Sequence, residues 1–411
     1  MTHLRLALAV LGIISWAGSS SAQIVAPPPP GTPSSEQPPP ARIQIGPVGI
    51  RPGLIVRETG YDSNVLNRNT NEQGDFTSTV GARVDLGTRV SRVLASYSSF
   101  YEYLYFKEFA SERGSNRGAE GRADFLLGRL RPHVLAGVRS SHDRPNPEID
   151  ARALRKQSTL GAGIAAAVAS HTTATLAYRR DSSDFADDET FRGIKLSEEL
   201  DVRSQAVTYG AAFELTPLTT VSVQGEERRE RFTLSPDRDA NSHRYGVTAS
   251  LNPLALIAGQ ASVGFVAFRP LTAVEPDFTG ITAAIAVTYA IQEGSRIGLS
   301  IDRDVRHSAF EETPYYVVTG GRGTFTQRLA GNIDGQVTAG FDRIAYRARL
   351  DAPTTVGDQT DRVKLVGGGV GYRLSDDARL LLNYDYTMRS SPLAVREYSR
   401  SRVFATLNYG F

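Results

Sequence analysis

The sequence predicts an all-β chain, a transmembrane antiparallel β-barrel of about eighteen strands, with sixteen as the alternative count. Three observations carry that expectation. Period-two stretches run from Gly49 onward, their connections alternate between short and long, and no segment after residue 22 is a continuous apolar run of helical-span length. A helical span needs about twenty such residues, so strands closed on themselves remain the way to satisfy backbone polar groups in lipid. The mean hydropathy of −0.25 does not oppose this, because a barrel strand is apolar on one face only.

The chain opens differently. Met1 to Ala22 carries His3 and Arg5, then the run LALAVLGIISWAG, then SSSA. That is the layout of a secretory signal peptide cleaved after Ala22, with an apolar core too short to cross a bilayer. Residues 23–46 follow as a periplasmic linker, since APPPPGTPSSEQPPPAR favours extended polyproline II and reads as a spacer. Residues 47–411 form the expected barrel.

Within it, side chains alternate between two faces. In FTSTVGARVDL, Phe76, Val80, Ala82, Val84 and Leu86 oppose Thr77, Thr79, Arg83 and Asp85. ITAAIAVTYAI sets Ile285, Val287, Tyr289 and Ile291 against Thr282, Ala284, Ala286 and Thr288; ARLLLNYDYTM sets Leu380, Leu382, Tyr384, Tyr386 and Met388 against Arg379, Asn383, Asp385 and Thr387. The apolar set suits lipid, and the small or charged set suits a wet interior. Short turns are expected at 87–91, 128–132, 169–172, 216–219, 252–254, 292–295, 329–332 and 375–378. Long polar connections are expected near 59–75, 107–116, 142–156, 183–199, 234–241, 270–278, 306–313, 350–360 and 389–397. This asymmetry places both termini on the short-turn side, the periplasm in bacterial barrels. Aromatic residues in SFYEYLYFKEF from Ser99, at Tyr315 and Tyr316, and in NYDY from Asn383 are expected at the lipid interface.

The last strand, VFATLNYGF, puts Val403, Ala405, Leu407, Tyr409 and Phe411 on one face. Such an ending resembles the C-terminal signature of bacterial outer-membrane barrels. The resemblance implies that Phe411 is the signal read by the outer-membrane assembly machinery, and that outer-membrane lipid and lipopolysaccharide surround the chain.

Composition excludes much chemistry. With no cysteine there is no disulfide, cysteine-ligated zinc or thiol nucleophile. A net charge of +2 without a basic block argues against nucleic acid. His133, His142, His171, His243 and His307 show no metal-binding spacing. Ser141, His142 and Asp143 are adjacent in an expected loop, whereas a catalytic triad converges in space. An outer-membrane hydrolase and a purely structural barrel stand as alternatives. The string GGGVG at 367–371 lacks the lysine and the strand–turn–helix setting of a phosphate loop, and is expected to allow curvature or packing under a ring such as Tyr372. DSSDFADDE gathers Asp181, Asp184, Asp187, Asp188 and Glu189, which reads either as a calcium or divalent-bridging site or as a solvated loop. No catalytic residue, cofactor or resident metal is expected.

Function then falls to the lumen. The inward set comprises Arg83, Asp85, Arg139, Arg179, Asp181, Glu214, Arg244, Arg296, Asp302, Arg379, Asp385 and Arg402. Arginine is in excess and binds carboxylates bidentately, so the lining favours anionic solutes or an acidic polysaccharide. The alternative is that opposite charges pair across strands to make a wet wall. The alternation is expected to lose phase after Arg343.

GYDSNVLNRNTNEQGDFTSTVGARVDL, from Gly60 to Leu86, resembles the first hairpin of a family of β-barrel porins often encoded with exopolysaccharide biosynthesis genes; Tyr61, Asp62 and Asn64 occupy its motif. A second similarity covers Val263 to Leu329. The resemblance implies a porin-like outer-membrane protein in which exopolysaccharide or other hydrophilic solutes pass through a charged lumen, with polysaccharide export components as partners. It supplies no catalytic residues. A general diffusion porin for small nutrients is the second reading.

Overall fold

The alternation becomes eighteen long strands. The structure is a computed structural model and describes residues 41–409 except 253, 254, 293, 354–356 and 376. The signal peptide, the linker through residue 40, and Phe411 lie outside the described residues.

In chain order the barrel strands are β1 (Val48–Asp62), β2 (Asp75–Val90), β3 (Val93–Phe106), β4 (Gly114–Phe125), β5 (Leu130–Ser141), β6 (Arg155–Ala169), β7 (Thr172–Phe185), β8 (Val202–Thr216) and β9 (Thr219–Phe232). They continue as β10 (Ala240–Leu251), β11 (Ile257–Pro270), β12 (Phe278–Gln292), β13 (Ser295–His307), β14 (Tyr315–Ala330), β15 (Ile333–Arg347), β16 (Thr360–Ser375), β17 (Ala378–Ser390) and β18 (Tyr398–Tyr409). Each pairs antiparallel with the next, and β18 returns to β1 from Leu54↔Tyr409 to Asp62↔Arg402. Closure pairs every barrel strand on both sides along most of its length, which is what lipid demands.

The expected alternation of short and long connections is observed. Two short turns sit a few residues from their expected places. Ser91, with φ of 54°, makes the turn between β2 and β3, and Gly128, with φ of 68°, that between β4 and β5. The linker expected to run to residue 46 gives way earlier, because Ile43–Ile45 folds back on Val48–Ile50 around Gly46, whose φ of 59° permits the turn.

Outward positions hold large exposed apolar residues such as Val80, Leu160, Val263, Ile281, Val337 and Leu382. Tyr97, Tyr101, Tyr103, Tyr384 and Tyr386 join them, as expected of an aromatic band. Tyr315 and Tyr316 do not. Both are buried inside the barrel, at 2% and 0% exposure, Tyr316 because it lies on the inner face of β14 and Tyr315 because the long-loop ends of β13 and β14 lean into the lumen. No phase slip follows Arg343 either. Ile344 and Tyr346 keep the inward direction of Asp342, and it is the inner face that turns apolar there, packing with Tyr316 and Val318.

Candidate functional site: an arginine-lined lumen under a loop lid

The loop at 142–154, between β5 and β6, turns into the barrel instead of standing clear of it. Asn116 on β4 pins its root, accepting from His142 N at 2.8 Å and donating to Asp143 Oδ2 at 2.8 Å. Further along, Asn146 Oδ1 accepts from the backbone N–H groups of Glu148 and Ile149, a local turn that presents both side chains. Glu148 accepts from Ser308 Oγ at 2.5 Å and Ala309 N at 2.8 Å, in the loop between β13 and β14. Those two loops lie eight strands apart in an eighteen-strand cylinder, so the contact spans the lumen. Ile149 packs with Ala153, Phe185, Phe191, Leu196, Leu200 and Ala309. Arg389 on β17 donates to Pro147 O at 3.0 Å and holds Asp361 at 2.6 Å. The long-loop end is therefore lidded.

Burial sets the electrostatics of this lid. It pushes the Glu148 carboxyl above its ordinary range, against the opposing Ser308 hydroxyl, Ala309 N–H, Arg396 and Arg389. Asp150 is raised for the same reason. Burial, with Arg152 and Arg400 nearby, brings Arg144 down to about 9. Arg144 donates only to carbonyls, Asp150 O at 2.5 Å and Val65 O at 2.7 Å.

Beneath the lid a cavity of about 1370 Å³ runs toward the short turns near His171 and Glu214. Thirteen arginines and eight carboxylates line it, with no lysine. Planar guanidinium forks, and not mobile ammonium charges, face the water. Of the expected residues, Arg179, Glu214, Arg244, Asp302 and Arg402 line this space. Asp385 pairs with Arg402 at 3.0 Å, and Asp181 with Arg179 at 2.8 Å. Arg83 and Asp85, 2.9 Å apart, sit in a side recess. Arg139 lies over the inward Phe100 ring, Arg379 pairs with Asp334, and Arg296 is exposed near the short-turn end.

Most lumen arginines are paired, but many of the pairs run along a single strand, unlike the pairing across neighbouring strands that the wet-wall alternative expected. Arg228 meets Glu226 at 3.0 Å, Arg244 meets Asp304 at 2.7 Å and Arg306 meets Asp302 at 2.9 Å. Arg144 and Arg155 differ. Neither has a carboxylate partner among the described residues, and Arg155 Nε is buried without a hydrogen bond.

Sequence reasoning missed Arg57 and Glu58. A bulge at these residues shifts the β1 register against both neighbours, and Glu58 has φ of 53°. Both side chains therefore turn inward, Arg57 to Glu102 at 2.7 Å and Glu58 to Arg402 at 3.2 Å. The glycine run has a different use from the expected one. Gly367 and Gly369 face inward under Asp385 and Asn383, and a Cβ at Gly371 would stand 2.6 Å from Asp334 Oδ1. The space serves carboxylate and amide groups, not an aromatic ring. Asp143 bonds Asn116, whereas His142 faces Glu189 at 3.9 Å, so the adjacent Ser141, His142 and Asp143 form no triad. The acidic loop also disperses, with Asp181 in the wall and Glu189 accepting from Leu154 N at 2.7 Å. Among the described residues no three metal-ligating side chains gather.

A closed barrel with an apolar outside, a wet charged lumen and an infolded loop defines an outer-membrane channel protein of the porin type. The chain belongs to the family described as Putative beta-barrel porin 2, whose model matches residues 39–411. That membership sets it among channels of Gram-negative outer membranes and not among enzymes. Solved structures similar to it include a BenF-like porin from Pseudomonas fluorescens Pf-5, with 12% identity, 88% of this chain and 99% of that chain covered, and a TM-score of 0.49. OpdK of Pseudomonas aeruginosa, solved with vanillate, gives 10%, 88%, 98% and 0.48. The FrpB iron transporter of Neisseria meningitidis gives 11% identity and a TM-score of 0.41 over 83% of this chain, which spans 62% of the transporter's length. No curated protein matches the sequence.

Proposed function

We propose that this protein is a passive channel for hydrophilic anions, carboxylates above all, with its short-turn end and both termini in the periplasm. The observation that carries this reading is the pair Arg144 and Arg155, which line the lumen near the lid without a carboxylate partner among the described residues. A guanidinium without a carboxylate partner is best satisfied by one that arrives in solution. Selectivity then arises as in other charged filters, from the sign of the groups at the narrowest passage. Lipid, lipopolysaccharide and the assembly machinery are the proposed partners, with Phe411 as the assembly signal.

Reversal potentials in planar bilayers under a salt gradient test the reading. The wild type is expected to be anion-selective, and Arg144→Gln with Arg155→Gln to lose much of that preference. A cation-selective wild type would sink it. Export of an acidic exopolysaccharide, with export components as partners, is the second reading. It rests on the family resemblance and on the same chemistry, since uronate carboxylates suit the same arginines. Deletion should then abolish secreted polymer while small-solute uptake is unchanged.

A further inference from the structure

The ladder between β12 and β13 stops at Ala283↔Arg303. Strand continues on both sides of the stop, at 278–282 on β12 and 304–307 on β13. Beyond it β13 still pairs with β14, from Asp304↔Val318 to His307↔Tyr315, and β14 stays laddered to β15 up to Tyr315↔Arg347, so the β13–β14 hairpin is a flap attached to the wall through β15. That hairpin lies inside the wall. Val305, Tyr315 and Val317 pack against Ala240, Val266, Phe268 and Phe278 on the inner faces of β10 to β12. His307 reaches Glu230 on β9 at 3.2 Å, four strands away, and touches the Phe232 ring at 4.7 Å. The wall overlaps itself here.

The gap is finished on both sides by side chains. If the ladder continued in register, Ile281 would stand opposite Val305. Instead Arg303 Nε donates to Ile281 O at 3.0 Å, and Asp304 Oδ1 accepts from Val305 N at 2.8 Å. Both backbone groups thus have side-chain substitutes for the missing ladder bonds. In the outward position Val305, Val317 and Tyr315 would face lipid, where their residue types are at home.

We infer that the β13–β14 hairpin is a gate hinged in the barrel wall, swinging between the lapped position and a completed ladder that widens the lumen. The inference rests on the channel reading. It identifies a wall segment as the mover, with the 142–154 loop serving as its inner stop through Glu148. Two packings of one sequence, apolar overlap and continued ladder, supply the bistable element that gating requires.

Paired cysteines test this cleanly, because the chain has none of its own. Ile281→Cys with Val305→Cys should form a disulfide only when the hairpin swings out, seen as a mobility shift. It should raise single-channel conductance several-fold, and reduction should reverse the change. Phe268→Cys with Tyr315→Cys, whose native rings lie 5.3 Å apart, should be joined by a short bis-maleimide and lower the conductance. Heat-modifiable mobility checks that each variant is folded, and the single-cysteine variants serve as controls. Failure of the first pair to link while the second links fully would overturn the gate, as would links that leave conductance unchanged. Anion selectivity is read separately from the reversal potential. A cation-selective pore that still answers to the links would remove the anion reading alone, and a protein without current in any linked state would overturn both.

Discussion

Two stretches of wall solve the problem of a crowded interior in opposite ways. From β16 to β18 the strands pair regularly, β17 with β18 from Ala378↔Tyr409 to Arg389↔Tyr398. Inward glycines there make room for Asp385, Asn383 and Asp334, and Arg402 and Arg379 fix the two carboxylates. From β12 to β14 the wall parts and overlaps on valine, phenylalanine and tyrosine. Charge-assisted hydrogen bonds are directional, whereas apolar contact is not. The first wall is fixed by such bonds, and the overlap of the second rests on apolar contact tied at two points, Arg244 to Asp304 and His307 to Glu230.

The largest effect should come from breaking the rigid wall. Arg389→Ala leaves Asp361, at 0% exposure, without its main partner. Removing one member of such a pair costs about 3–5 kcal/mol, which should appear as a lower unfolding temperature in detergent. Next, Gly369→Val drives a side chain into Asn383 and should cost about 1–3 kcal/mol. Gly323→Val on β14, where nothing lies within 4 Å, should stay within about 0.5 kcal/mol. Equal losses at the two glycines would mean that crowding on the inner face is not what Gly369 relieves.

A smaller effect concerns pH. Burial raises Glu148 and Asp150, so the closed lid binds their protons more tightly than an opened one. Stability of the closed form is then gained as pH falls through the raised values and lost as it rises through them. Channel openings should become rarer on acidification, and Glu148→Gln should flatten that response. The smallest effect is expected from Arg83→Gln or Arg379→Gln. Arg83 is 40% exposed, and such pairs contribute about 0–1 kcal/mol. Stability should hold, while the freed Asp85 or Asp334 shifts the reversal potential slightly toward cations.

What could be read from the sequence was local. Strand number, connection lengths and the inward direction of residues such as Arg179 and Asp385 follow from period two, which each strand carries by itself. The lapped wall could not be read. Tyr315 and Val317 look like lipid-facing residues, and only their placement against Phe268, far away in sequence, makes them interior. Glu148, Asp361 and Arg389 meet through a loop with no periodicity. Glu58 turns inward because of a left-handed backbone angle that RETGY does not announce.

The clasp between the first and last strands has a consequence for how the cylinder is made. Asp62 holds Arg400, Ser63 N donates to Ser401 O at 2.9 Å, and Asn64 Nδ2 donates to Ser399 O at 2.9 Å. These two strands are the most distant in sequence, so theirs is the join that needs the entire chain. A slip of one residue there would turn the outward Val403 into the water and Arg402 into the lipid. Asp62 and Asn64 work as registration marks: they meet Arg400 and Ser399 only when the far strand arrives in step.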